Sequence, residues 1–344
     1  MQSQVDQYCA EIGADSLLVQ GPGGNVSWKQ GDVLHIKASG MWLADAQRKQ
    51  TFVPVDLVDL KGKIADGNFG AKPLVLGTSP LRPSIETMFH ALMPQTFVVH
   101  VHAVEALAHL VRSDFQHSIA EALGDDLSWT WTGYYQPGPK LAAAVRDSLA
   151  KEPDASLVFL QNHGLIVAGQ SIEETDECLR IVIRRLAAAQ PRPTEEVDVS
   201  SADTISDFSL VPAPAVQELA LDPELLDRTE KYWALYPDHI VFLGTNPVIF
   251  NDVQTAAHDL SRMPRAPEIF FVRGCGVYQT SELSAAKQAY LQCYAEVLRR
   301  QPSGALLHGL TDDEVAELFG WEAETYRQQL DKSREEQGVV KQIG

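Results

Sequence analysis

Cysteine is scarce in this 344-residue chain. Its four copies, Cys9, Cys178, Cys275 and Cys293, are scattered and form no C-x-x-C pair, which argues against a disulfide framework and for reduced thiols. Positive charge is also short. Against 46 acidic residues stand 28 basic ones, and the formal charge of −18 speaks against nucleic acid or an anionic membrane as the main partner, although a local basic cluster can still hold a small anion. No segment approaches the roughly 18 apolar residues of a membrane span. The start, Met1-Gln2-Ser3-Gln4-Val5-Asp6, has no basic region followed by an apolar stretch, so the expectation is a cytoplasmic chain. With 45% hydrophobic and 22% charged residues, it has the composition of a soluble globular protein long enough for two domains.

What the chain does have is a histidine pair one residue apart in a β-branched run, Val98-Val99-His100-Val101-His102. Alternate side chains of a strand leave on the same face, so the spacing sets two imidazoles side by side. A third stands in Gln161-Asn162-His163-Gly164, a turn-forming triplet after the apolar run Leu157–Leu160. Three imidazoles from two strand contexts are the ligand set of a catalytic zinc with one position left open, and another divalent metal is an alternative. The competing reading makes His100 and His102 sheet residues satisfied by carbonyls and His163 a turn filler.

Elements alternate along the first part. Val33–Lys37 and Phe52–Val55 read as strands, Pro83–Met93 as a helix, Phe97–His102 as a strand and Ala103–Val111 as a helix. Apolar runs at Leu157–Gln161 and Leu165–Ala168 precede an amphipathic helix from Ile172 to about Ala189. The class is therefore α/β or α+β. Residues 191–218, rich in Pro, Ser and acidic residues, read as a linker between a domain at 1–190 and a smaller α/β unit at 219–344. In that unit Ile269–Gly276, followed by a helix from Leu283, echoes Leu157–Gly164, with Cys275 at the place of His163. Strand-turn-strand-helix is also common by chance. His239–Leu243 reads as its other strand and offers a single histidine, so the unit is expected to carry no metal and to serve packing or assembly.

Glu86 lies just before the apolar helical positions Met88, Phe89 and Leu92. A carboxylate there serves either as a dipole-stabilising surface group or, because the helix runs into the histidine strand, as an acid/base beside the metal. His90 reads as a packed, hydrogen-bonded helix residue. Gly21-Pro22-Gly23-Gly24-Asn25 frees backbone N–H groups around one concavity, and Ala38-Ser39-Gly40 and Ser84 offer further small-residue anion positions. Together with the histidines they point to a phosphorylated or carboxylated small molecule.

Gly24-Asn25-Val26-Ser27, Ala38-Ser39-Gly40, Ser84-Ile85-Glu86 with His90 four residues further, His100-Val101-His102 and Asn162-His163-Gly164 occur in the order of the class II aldolase/adducin family, which residues 15 to 190 resemble. Gly23–Lys29, Arg82–Glu86 and Pro237-Asp238-His239 are most similar to the aldolase portion of bifunctional rhamnulose-phosphate aldolase/short-chain dehydrogenase proteins, with no dehydrogenase portion expected in these 344 residues. The resemblance implies an α/β/α sandwich with a mostly antiparallel central sheet and zinc on His100, His102 and His163. It further implies Glu86 as acid/base, and Asn25, Ser39, Gly40 and Ser84 as phosphate-binding. Many phosphate-binding members carry two adjacent serines before the glutamate; Ser84-Ile85 departs from that. Such sites often take groups from a neighbouring subunit, so a homo-oligomer is expected, with Tyr134 either a proton donor of that kind or a buried aromatic with a satisfied hydroxyl. The expected reaction is zinc-dependent aldol cleavage or condensation of a small sugar or sugar phosphate. A sugar-phosphate 4-epimerase, a dehydratase and a non-enzymatic adducin-like assembly protein are the rivals.

Overall fold

Phe97–Val101 is buried at every position, as a strand covered on both faces must be, and it runs through the middle of a seven-stranded sheet. The computed structural model describes residues 1–187 and 205–319. The strands of the larger sheet are β1 (Asn25–Gln30), β2 (Val33–Lys37), β3 (Phe52–Asp56), β4 (Phe97–Val101), β5 (Trp129–Thr132), β6 (Leu157–Leu160) and β7 (Gly164–Gly169). Their order is β3-β2-β1-β4-β7-β6-β5, antiparallel throughout except for the parallel pair β5/β6.

Period-two alternation divides the core. Phe97, Val99 and Val101 face helices Gln2–Ala14, Val104–Leu110, Phe115–Leu123 and Ile172–Leu186. Val98 lies in the opposite cluster with residues of helices Leu57–Ala65, Thr87–Leu92 and Pro139–Lys151. The result is the expected three-layer sandwich. His100 shares the face of Val98, which puts an imidazole inside that second layer next to Phe89, 5.4 Å away between ring centres.

Two expected elements change. The helix read from Pro83 starts only at Thr87, because residues 82–84 first run beside the end of β2: Pro83 bridges Ala38, Ser39 N–H donates to Arg82 O at 2.9 Å and Ser84 N–H to Lys37 O at 3.1 Å. Glu86 is thereby placed at the cap rather than on the helix surface. His239–Leu243, expected as a strand, belongs to the helix Pro237–Leu243, opened by Pro237 and closed by Gly244 at φ +90°. Pro237 through Phe242 are all buried, so no polar face betrays the helical period. No helix among the described residues is long and apolar enough to cross a membrane.

A second sheet contains β8 (Phe208–Leu210), β9 (Ile249–Phe250), β10 (Ile269–Val272) and β11 (Gly276–Thr280), in the order β8-β11-β10-β9. Of the segment 191–218, residues 191–204 lie outside the described part, while β8 and the helix Pro214–Leu221 occupy much of the remainder. The directions repeat those of β4-β7-β6-β5: antiparallel, antiparallel, parallel. Both hairpins have their second strand opened by a glycine, and the helices Ile172–Leu186 and Ala285–Arg299 follow them. His100 pairs with Ile166 and Leu210 with Tyr278, each two residues beyond that glycine, so the second sheet carries Leu210 and Pro212 where the first carries His100 and His102. The counterpart of the histidine strand is β8, not the segment at His239. Space corresponding to the histidines is filled: a Cβ on Gly276 would lie 2.6 Å from Gln217 Oε1 and 2.7 Å from Leu210 Cδ2.

The two sheets meet along Val104–Leu110, whose Val104 and Leu107 pack with Val211, Val216, Leu219 and Leu298. A chain ending at residue 187 uncovers Val104, Leu107 and the adjacent Val111. We expect it to aggregate or to change its state of association, as read by light scattering. A truncated protein as dispersed and as active as the whole would remove the packing role of the second sheet.

Candidate metal centre

β4 ends at Val101, and the strand spacing carries through the next peptide so that His100 and His102 turn to one side. Across the β4/β7 ladder, the three-residue turn 161–163 returns the chain with Asn162 in the left-handed region at φ +52° and brings His163 against them. Gly164 makes this approach possible. A Cβ there would stand 2.5 Å from Val101 O, 3.1 Å from His102 and 3.2 Å from His100.

One nitrogen from each of His100, His102 and His163 falls within 4.8 Å of the others, and all three residues are buried. Among the described residues no other His, Cys, Asp or Glu group meets that condition. His100 Nδ1 lies 3.2 Å from Leu165 O, and His102 Nδ1 lies 3.3 Å from Asp238 Oδ2. Both partners are acceptors, so each Nδ1 is assigned the proton and each Nε2 is left with a lone pair. Those two Nε2 atoms face each other at 3.1 Å. Two lone pairs at that distance call for a cation between them, so the donor set fits a divalent metal.

Electrostatics agree. Burial holds His100 well below the usual imidazole range, helped by neighbouring His102, and burial also drives His163 down to about 3. Both are neutral at physiological pH, as metal ligands must be.

Glu86 closes the open side. Its Oε1 stands 3.3 Å from His163 Nε2, is buried and accepts no hydrogen bond; its Oε2 lies 3.6 Å from His100 Nε2 and accepts Asn25 Nδ2 at 2.7 Å. Asn25 is delivered there by the β1/β4 register, which sets it opposite His100. Its Oδ1 bonds His90 Nε2, and His90 Nδ1 bonds Ser27 Oγ at 2.8 Å. His90 is thus packed and hydrogen-bonded as expected, and it fixes which end of the Asn25 amide meets Glu86.

The glycine loop wraps the same centre. Gly24, at φ +61°, has no room for a side chain, since a Cβ would lie 2.8 Å from His100 O. Lys37, buried, donates its ammonium to Pro22 O and Gly24 O, both at 2.8 Å, and so braces the loop. Gly23, Asn25, Ser39, Gly40 and Ser84 border one pocket with Glu86, His102 and His163. The backbone N–H groups of Gly23, Ser39 and Ser84 are already bonded to carbonyls, leaving hydroxyls rather than main-chain amides as donors at the two serines. Tyr134 is not on that pocket wall; it packs beside Ile240, Phe242 and Tyr290. Asp238, Lys37 and Pro137 also border the pocket, and the sequence patterns above do not mark them as site residues. For Asp238 the sole signal was its place in Pro237-Asp238-His239.

Residues 4–188 match the family described as Class II Aldolase and Adducin N-terminal domain. A curated relative, the "Uncharacterized oxidoreductase YuxG" of Bacillus subtilis (strain 168), is 29% identical over 178 residues, 47% of this chain and 25% of that protein. This chain therefore spans about a quarter of its length. Among solved structures, the N-terminal class II aldolase domain of a protein from Thermoplasma acidophilum aligns at 27% identity and a TM-score of 0.45, covering 53% of this chain and 90% of that one. An L-fuculose-1-phosphate aldolase from Thermus thermophilus aligns at 16% identity and a TM-score of 0.38, covering 54% and 93%.

Two outcomes are expected. Metal analysis of protein exposed to zinc should find one divalent ion per chain in the wild type and little in His102→Ala, and an undiminished content in the variant would sink the ligand assignment. The second concerns acid. Folded His163 and His239 protonate only near pH 3 because both are buried, whereas an unfolded histidine does so near 6.5. Below about 6.5 the unfolded chain binds more protons, so metal-free stability is whole above that pH and declines by about 1.4 kcal/mol per pH unit for each such histidine on the way down. Melting temperatures of metal-free protein between pH 7 and 4 check this; a flat profile would contradict it.

Proposed function

The chain belongs to the class II aldolase and adducin family, and on that footing we propose that it makes and breaks a carbon–carbon bond in a small, phosphorylated ketose, using zinc held by His100, His102 and His163. When bound, such an ion polarises the ketose carbonyl and an adjacent hydroxyl and stabilises the negative charge left by the broken bond. The observation that carries the reading is the convergence of three buried imidazoles with a carboxylate oxygen that no hydrogen bond occupies, Glu86 Oε1.

Glu86 is the acid/base. In cleavage it hands a proton to the carbon from which the aldehyde has left; in condensation it takes that proton back. Asn25 and His90 hold the carboxylate so that Oε2 is tied and Oε1 is presented. Ser39, Gly40 and Ser84, with the second amide hydrogen of Asn25, receive the phosphate end. Tyr134, away from the pocket of its own chain with its hydroxyl buried there, is assigned across a homo-oligomer contact that uncovers it as the group that protonates the aldehyde oxygen in condensation and takes the hydroxyl proton in cleavage. Residues 1–190 are the catalytic domain on this reading and 219–344 the second unit, whose described part, together with β8 and the helix Pro214–Leu221, packs against the first.

A retro-aldol assay of the zinc-loaded protein on phosphorylated and unphosphorylated ketoses, with the aldehyde identified, tests the proposal. Release of an aldehyde from a phosphorylated ketose supports it. Inversion without release would identify a 4-epimerase, and loss of water a dehydratase. Glu86→Gln should keep the fold and most of the metal while turnover falls by about 10²- to 10⁴-fold, the usual scale of a lost general acid/base. Undiminished turnover would remove Glu86 from the chemistry, and lost metal would recast it as a ligand.

A further inference from the structure

We propose that the C-terminal half of the chain is part of the metal centre, with Asp238 a positioning residue for His102 and Asn162 fastening the His163 turn to the same half. The inference rests on the metal reading above and adds residues outside the stretch 4–188 that matches the family.

Asp238, in helix Pro237–Leu243, is 5% exposed, and its Oδ2 lies 3.3 Å from His102 Nδ1. The same oxygen accepts the hydroxyl of Tyr290 at 2.8 Å; that tyrosine is fully buried on helix Ala285–Arg299 and stacks on Phe242 at 4.6 Å. A carboxylate on Nδ1–H selects the tautomer that leaves Nε2 free, holds the ring plane and makes Nε2 a stronger donor to a metal. Gly23 keeps the contact closed, since a Cβ there would lie 3.0 Å from His102 Nδ1 and 3.1 Å from Asp238 Oδ2.

The second attachment is independent. Asn162, fully buried, donates both amide hydrogens to main-chain carbonyls of the C-terminal half, Leu235 O and His308 O, each at 2.7 Å. His163 follows it directly, so the position of the third imidazole is set from the same side.

Zinc affinity of the full chain, measured by competition with a chromophoric chelator, decides the matter. Asp238→Asn should bind zinc about 10-fold more weakly and Asp238→Ala up to about 100-fold, the range for groups supporting a metal-bound histidine. Tyr290→Phe should lose less, and the cobalt-loaded protein should show a shifted absorption band in Asp238→Asn. Melting of the metal-free proteins controls for folding, and the near-isosteric Asp238→Asn carries the test if the alanine variant unfolds. Wild-type affinity in both Asp238 variants, alongside loss in His102→Ala, overturns the inference and leaves the metal reading standing. Wild-type affinity in His102→Ala overturns the metal reading and the inference together.

Discussion

The pairing of β4 with β1 on one edge and β7 on the other is the constraint on which the rest depends. Register sets Asn25 and Ile166 on either side of His100, so the carboxylate's amide partner arrives from one neighbour and the third imidazole from the other. A slip of one residue would turn His100 out of its layer and separate Asn25 from Glu86. The buried apolar residues Val98, Val99 and Val101 oppose such a slip, because it would exchange the contents of two packed cores. Packing and chemistry are therefore fixed by the same hydrogen-bond ladder.

Around that ladder the polar groups form a chain in which each member limits its neighbour. Ser27 holds His90, His90 orients Asn25, and Asn25 holds one oxygen of Glu86. Burial makes such a chain demanding, since an unpaired group in it costs about 1–3 kcal/mol. Paired, it gives a carboxylate whose direction does not depend on a ligand being present. Lys37, which also borders the pocket, contributes by holding the carbonyls of Pro22 and Gly24 and so fixes the glycine loop against the site.

Much of this is legible in the sequence alone. Period two in Val98–His102 put two imidazoles on one face, and the triplet before Gly164 announced a turn; the structure joins them in a single cluster with Glu86. The start of the helix after Pro83 was not legible, because its delay comes from the pairing of residues 82–84 with the end of β2. Nor was the helix at His239, whose sides are all buried and so show no amphipathic period. Asp238 and Lys37 escaped for a common reason: a lone charged residue carries no local pattern, and both meet the site only through tertiary contact.

The correspondence between β4-β7-β6-β5 and β8-β11-β10-β9 has a consequence for how this molecule can change. At the second location leucine and proline replace two imidazoles, cysteine replaces a third, and Gln217 fills the gap with hydrogen bonds to Val211 O, Val277 O and Val277 N–H. Leu210 is half-buried and Pro212 and Cys275 are exposed, so what closes the gap is the buried Gln217, whose amide is hydrogen-bonded at both ends. Histidines at 210, 212 and 275 would therefore not suffice for a second centre: Gln217 would have to go as well, and with it the bonds that tie Val211 and Val277 to its helix, so a single side chain holds this half to packing.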